Sequence, residues 1–432
     1  MTSKHSILFL AHRTPYPPNR GDRIRSYHMI RFLAERAEVH LAFLAEEEPP
    51  ESTREALEAI CARVAWARLR PYGRWVSGAM SLACGRTATE GLYRSRDLAR
   101  TVKSWAGGTR FGAVVAFCSS MVQYLNVAPL RDVPALVDLV DVDSQKWLEY
   151  AAGARGLKRA LYRCEGRRLR KLECSLPDRA RAVTLVSQAE ADLYRSFCPS
   201  DRIHAVANGV DLEYFDPDRY EPADSADAPA PSCVFVGALD YKANVDGARW
   251  FCERVWPEIR RRRPDATFAL VGSNPSTAAR RLGELPGVKL VGPVPDVRPY
   301  LVKASLVVVP LQVARGLQNK VIEALAMGKA VVTSPQAAEG LAVEEGVHLR
   351  LARDPQEWVR EIDSLFASPS QRARLGRAGR QYAEEHHRWE AQLAPLSQLL
   401  ELSERAGTSP GMNGASVRSP MIADLHRAGS TT

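Results

Sequence analysis

Short, nearly unbroken apolar runs recur through the first half of the chain, at Ile7–His12, Val39–Ala45, Ala113–Cys118, Leu136–Val142, Ala182–Ser187 and Ile203–Ala207. The intervals carry apolar residues three and four apart, as in SYHMIRFLAERA after the first run. Unbroken apolar strands alternating with amphipathic helices predict a parallel sheet covered on both faces. The pattern breaks at 216–232, DPDRYEPADSADAPAPS, whose Pro, Asp and Ala content marks a linker or surface loop. Apolar runs then resume at Cys233–Gly237, Thr267–Gly272, Lys289–Val291, Leu306–Pro310 and Ala330–Thr333. Two such series predict an α/β protein of two doubly wound, Rossmann-like domains, with a ligand in the cleft between them near the carboxyl ends of the strands. The expected division is 1–209, a linker at 210–231, a second domain at 232–385, a helix at 386–405 and a disordered tail at 406–432, where Ser, Gly and Thr dominate.

The 432 residues have room for two or three domains, and 45% hydrophobic content is ordinary for a globular chain. A formal net charge of +9 favours polyanionic partners: phosphates, nucleic acid or an anionic membrane surface. The 8 cysteines are scattered with no CxxC pair, which argues against a zinc site or a disulfide framework and predicts a reduced, intracellular protein. The opening apolar run is too short for a signal peptide and reads as a first strand. No run of about 18 apolar residues exists to span a bilayer.

Residues 305–334, SLVVVPLQVARGLQNKVIEALAMGKAVVTS, read as strand, loop, helix, strand, with the helix from Asn319 to about Met327. Such a unit holds a ligand at a helix N-terminus. Lys320 and Glu323 stand three apart, so they share a face of its first turns. A cation there suits a phosphate, and a carboxylate suits sugar hydroxyls.

Three segments in order, ANGVDLEYFDPD (207–218), CVFVGALDYKANVDGARWF (233–251) and GLQNKVIEALAMGKAVV (316–332), resemble the nucleotide-sugar glycosyltransferases of the GT-B fold, family 4. The resemblance spans roughly 6–400. Within it, HRTPYPPNRGDRIRSYH (12–28), VDVDSQKW (140–147) and QNKVIEALAMG (318–328) are similar to the sugar transferases of exopolysaccharide and exosortase systems. The resemblance implies transfer with retention from a nucleotide diphosphate sugar to a glycan or polyprenyl-linked acceptor. It also implies no catalytic metal, and neither a cofactor nor a nucleic-acid partner is expected. The first domain takes the acceptor, the second takes the donor, and a final helix within 387–406 returns to the first domain. The expected location is cytoplasmic, peripheral on the inner face of the membrane.

Carried onto this chain, the resemblance makes Glu323 the contact for ribose hydroxyls and Lys320 the phosphate ligand, with Asn319, Gly316 and Gly237 lining the donor site. The family's first glutamate, eight residues before Glu323, is replaced by Arg315, which cannot accept a hydrogen bond from a sugar hydroxyl but can bind phosphate or a carboxylated sugar. Two usual cations after the first strand of the second domain are missing: Ala238 and Ala243 stand there, and Lys242 is the expected substitute. In the first domain, the loop RTPYPPNRGDR (13–23) offers Gly21 for freedom and Arg20 and Arg23 for charge, or else it only caps the following helix. Asp141 and Asp143 stand where the family often has a histidine. They read as catalytic carboxylates, or as caps of a helix starting at Ser144. Ser119 and Ser120 are weaker cleft candidates.

The most basic segment, 154–182, interleaves Arg and Lys with Leu157, Leu161, Leu169 and Leu172. It reads either as a cationic helix at an anionic bilayer or as a solvated helix with a core stripe. Two other classes are weighed. An epimerase of the same fold also binds diphosphate sugars, but the run at 316–332 argues against it. A nucleic-acid binder would explain the charge but lacks an aromatic stacking platform or recognition module.

Overall fold

The structure, a computed structural model, describes residues 5–69, 73–219, 230–314 and 316–402. Ten of the linker residues (220–229), the expected tail (406–432) and Arg315 lie outside the described residues.

Two all-parallel sheets form. The first contains β1 (Ser6–Ala11), β2 (Glu38–Ala45), β3 (Arg63–Arg68), β4 (Ala113–Phe117), β5 (Ala135–Val140), β6 (Ala182–Leu185) and β7 (Ile203–Ala205), in the order β3-β2-β1-β4-β5-β6-β7. The second contains β8 (Ser232–Val236), β9 (Thr267–Val271), β10 (Val288–Gly292), β11 (Leu306–Val309), β12 (Val331–Thr333) and β13 (Arg350–Leu351), in the order β10-β9-β8-β11-β12-β13. The winding direction reverses between β1 and β4 and again between β8 and β11. Each reversal opens a crevice beyond the carboxyl ends of the strands, where such sheets bind ligands.

Ile7 to Ala11 and Ala113 to Phe117 are almost wholly buried, which is why both read as unbroken apolar runs. Two strands escape that pattern. β3 is an edge strand with arginines at both ends, and β13 has two residues, too few to show a period. Most strands also stop a residue or two short of the apolar runs, and residues beyond the strand ends such as Val142, Val186 and Val206 are still buried.

The helices that position the site are α1 (Gly21–Ala34), α2 (Asp143–Ala152), α3 (Gly156–Cys174), α4 (Lys242–Arg254), α5 (Asn319–Ala326), α6 (Pro369–His386) and α7 (Trp389–Leu399). The last of these returns to the first sheet: Trp389, Leu393 and Leu396 join the core of Ile7, Phe9 and Met29, and Trp389 stacks on His28 with centroids 4.4 Å apart. The chain therefore crosses between domains twice. The crossings are tied by the Val210–Arg388 bridge and by Val210 N–H donating to His387 O at 2.7 Å. All 8 cysteines are free thiols. No described helix is long and apolar enough to cross a membrane.

Candidate functional site

The floor of the second crevice is glycine. Gly237 follows β8 and Gly272 follows β9, and a Cβ on Gly272 would lie 1.8 Å from Gly237 O. The two backbones approach that closely because neither residue has a side chain. Above them, α5 begins where β11 hands over to its loop. Val321, Ile322, Ala324 and Leu325 of α5 are buried, which leaves Lys320 and Glu323 half-buried on one face. The Lys320 Cε atom would be 3.3 Å from a Cβ on Gly237, and its Nζ donates to Gln318 Oε1 at 3.1 Å. Burial pulls Lys320 down to about 8 and pushes Glu323 up to about 7, and the opposite charge of each opposes the other's shift. Lys320, Glu323 and Gly237 are thus brought together at the positive end of α5.

Lys242 is not held in that group. Its side chain is 84% exposed at the start of α4 and pairs with Asp246 one turn on. The local pattern after β8 has another polar residue that faces inward. Asn244, 4% exposed, donates from Nδ2 to Ala238 O at 2.9 Å, and its Oδ1 has no partner. Asn319, expected at the donor, faces the first domain and accepts from Asn208 Nδ2 at 3.1 Å.

The first crevice is built from the ends of β1, β4 and β5. Two non-glycine residues there have left-handed backbones, Cys118 (φ 74°) and Val140 (φ 67°). A β-branched residue in that region is strained, by about 1–3 kcal/mol. The kinks aim Ser119 and Asp141 out of the strand line. Ser119 Oγ donates to Asp143 Oδ2 at 2.6 Å. Asp141 and Asp143 do not cap α2 as their position suggested. The helix starts at Asp143, and its N-cap, Val142, makes no side-chain cap bond. Buried glutamates take that work instead: Val142 N–H donates to Glu190 and Ser144 N–H to Glu173, each at 2.8 Å. Asp141 and Asp143 are left facing the crevice. Burial, with Glu190 nearby, raises Asp141 to about 6; burial also raises Asp143, against the Ser119 bond. Lys146, on the same face of α2, is raised by both aspartates and by Tyr241 of the other domain, which outweigh its burial.

Gly21 and Arg20 differ from expectation. Gly21 is the first residue of α1, with no positive φ, and a Cβ on it meets nothing within 4 Å, so no loop freedom is required of it. Arg20 is the N-cap and makes no cap bond; its side chain is 56% exposed and lies 3.7 Å from Asp22. The inward groups of this loop are His12 and Asp22, 3.6 Å apart, with His12 stacked on Phe117 and its Nδ1 unpartnered. Within 12–28 the arginines, not His12, stand out by charge in the sequence.

The crevices face each other. Gly316, at φ +60°, lies against the first domain: a Cβ there would be 3.1 Å from both Asp141 Oδ1 and Val186 Cγ1. A second link starts from Asp138 inside β5. Its carboxylate accepts from Arg25 Nη2 at 2.6 Å, Arg25 Nε at 3.0 Å and Thr184 Oγ1 at 2.7 Å. Arg25 Nη1 donates to Asn208 Oδ1 at 2.9 Å, and Asn208 reaches Asn319. A buried ion pair of the first domain thus extends to the first residue of α5. No group of three or more His, Cys, Asp or Glu that could hold a metal occurs among the described residues.

This arrangement defines an α/β protein of two parallel-sheet domains whose crevices face each other. Residues 230–368, which make up most of the second domain, match the family described as Glycosyl transferases group 1. The chain is 27% identical over 246 residues to a GDP-mannose-dependent alpha-(1-6)-phosphatidylinositol monomannoside mannosyltransferase of Mycolicibacterium smegmatis. That match covers 51% of this chain and 62% of the relative, so the chain spans less than two thirds of the relative's length. Sucrose-phosphate synthase from Thermosynechococcus elongatus superposes with a TM-score of 0.65 at 17% identity, covering 92% of this chain and 98% of that one. Anabaena HepE in complex with UDP superposes with a TM-score of 0.62 at 16% identity, covering 92% and 99%. WaaG, a glycosyltransferase involved in lipopolysaccharide biosynthesis, superposes with a TM-score of 0.63 at 13% identity, covering 91% and 99%. The fold is that of the GT-B glycosyltransferases.

Proposed function

We propose that the protein is a metal-independent glycosyltransferase of family 4. It moves a sugar, with retention, from a nucleotide diphosphate sugar to a glycan or lipid-linked acceptor in cell-surface or exopolysaccharide synthesis. The observation that carries this reading is the placement of Lys320 and Glu323 at the N-terminus of α5, above the Gly237 floor and opposite Asp141. The group 1 match over 230–368 supports it, as does the description of HepE with bound UDP and of the mycobacterial relative as GDP-mannose-dependent.

In this mechanism the ribose hydroxyls donate to Glu323, and the diphosphate lies against Lys320 and the free N–H groups of α5. These donors neutralise charge that grows on the departing phosphate as the bond from the sugar's anomeric carbon to phosphate oxygen breaks. The acceptor hydroxyl forms the new bond from the first-domain side. Asp141, beside the Gly316 loop, orients that hydroxyl or takes its proton; Asp143, held by Ser119, keeps the corner charged. Gly316 brings the donor loop against Asp141, and Arg315 holds the sequence position of the expected glutamate.

A thermal-shift screen against UDP-, GDP- and dTDP-sugars tests the donor site, since a ligand bound to the native state raises the melting midpoint. One donor class is expected to raise it in the native chain and to fail in Glu323→Ala and Lys320→Ala, with transfer reduced about 10²-fold or more in each. Full transfer by both variants would remove the proposed donor site.

A further inference from the structure

α2 and α3 form a helical hairpin on the first domain, joined by a turn at 153–155. They pack closely: a Cβ on Gly166 would lie 2.9 Å from Leu148 Cγ. The basic character of α3 divides along its length. Toward its end two of the cations serve the protein itself, while Arg167 and Lys171 are exposed. Arg168 donates to the carbonyls of Leu82 and Arg86. Arg170 donates to Ser144 Oγ at 2.7 Å and stacks on Phe197 at 3.5 Å. Toward its start only Lys158 has such a contact, over the Tyr162 ring at 5.5 Å. Arg155, Lys158, Arg159 and Arg163 are exposed, and none forms an ion pair among the described residues. No carboxylate occurs between Glu149 and Glu165.

The same end of the hairpin carries bare apolar surface. Leu157 is 87% exposed and Leu161, one turn on and on the same face, 48%. Tyr150 is 46% exposed and belongs to an aromatic cluster with Trp147 and Tyr162, whose rings lie 5.2 Å apart. Leucines in water gain nothing from a phosphate backbone, so charge alone does not explain the surface. Leucines, an aromatic belt and unpaired cations at one helical tip match the layers of a bilayer: acyl chains, interface and anionic headgroups.

We infer that the tip of the α2–α3 hairpin docks the protein on an anionic lipid surface, with Leu157 and Leu161 inserted and the four cations on the headgroups. This holds whether or not the proposed activity is right. Where it is right, the hairpin has a further use. α2 has 10 residues and starts at Asp143, so about 15 Å separates the crevice from the tip. A docked tip holds the crevice at the height of a lipid-linked acceptor's head.

The test is co-sedimentation of the full chain with phosphatidylcholine vesicles, with and without phosphatidylglycerol. Binding is expected only with phosphatidylglycerol and is expected to weaken as salt rises. Replacing Arg155, Lys158, Arg159 and Arg163 by Ser is expected to lower partitioning by about fivefold per cation. Leu157→Ser with Leu161→Ser is expected to release the protein as well. Neutralising Lys303, Arg281, Arg353 and Arg360 of the second domain is expected to have little effect. All these side chains lie outside the core, so thermal melts of the variants should match the native chain. Native protein left in the supernatant with anionic vesicles overturns the inference. So does unchanged binding by the leucine variant, or equal loss in the tip and second-domain variants. Tip variants that lose duplex DNA but keep vesicles would assign the surface to nucleic acid instead.

Discussion

Asp141 combines a raised pKa with contact to the opposite domain. An unfolded chain ionises it near the ordinary aspartate value of about 4, whereas the folded chain holds the proton to about 6. Between those values the native state binds more protons, so this group's contribution to stability falls as pH rises and is least above about 6. Asp141→Asn is therefore expected to gain about 1–3 kcal/mol in denaturant unfolding at neutral pH while losing about 10²–10⁴ in turnover. The acid limb of kcat/KM should rise through about pH 6 in the native chain and vanish in the variant. A loss of stability in Asp141→Asn would contradict the burial argument. The aspartates were legible as chemistry, because charges at the end of an apolar strand need a reason. Asp138 offered the same signal inside the strand, and it went unused because Arg25, its partner, is 113 positions away. Long-range pairing leaves no local trace.

At the scale of elements, the strand ends matter more than the strands. The Arg25–Asp138 pair fixes β5 to α1 and passes through Asn208 to α5. Removing one partner of a buried pair costs about 3–5 kcal/mol, so Asp138→Ala is expected to shift urea unfolding by that amount. Replacing both, Arg25→Met with Asp138→Leu, should recover most of the stability. It also removes the donor to Asn208, so nucleotide-sugar affinity should still fall. Full recovery of affinity would sever the link to α5. The parallel strands and α5 were readable because their periods are simple and their apolar runs long. β3, with Arg63 and Arg68 at an edge, was not, since a strand with one neighbour need not be apolar. The groups at the start of α2 were not readable for a related reason: Glu173 and Glu190 come from other helices, whereas local sequence offers only Asp141 and Asp143.

Across the whole molecule, function depends on how the two sheets face each other. Gly316 sits at that contact with a left-handed backbone. Gly316→Ala places a methyl 3.1 Å from both Asp141 and Val186 in a conformation that disfavours it. The expected outcome is a cut of about tenfold or more in transfer, an order typical of a misplacement of about 1 Å, with each domain still folded by circular dichroism. Unchanged turnover would mean the contact is not used. The two-domain plan followed from two apolar series and a break. The meeting of Gly316 with Asp141 did not, because it depends on the angle between domains.

The return of α7 to the first sheet also sets an order of events during synthesis. The last strand of that sheet ends at Ala205, yet Trp389, Leu393 and Leu396 complete its core. At about 5–20 residues per second, the ribosome needs roughly 10–40 s to cover that interval. For that time the first domain waits with an apolar face uncovered, and the second domain must fold beside it. A nascent chain halted just after β7 should therefore be cut by protease or held by a chaperone, and release of α7 from the ribosome should end both.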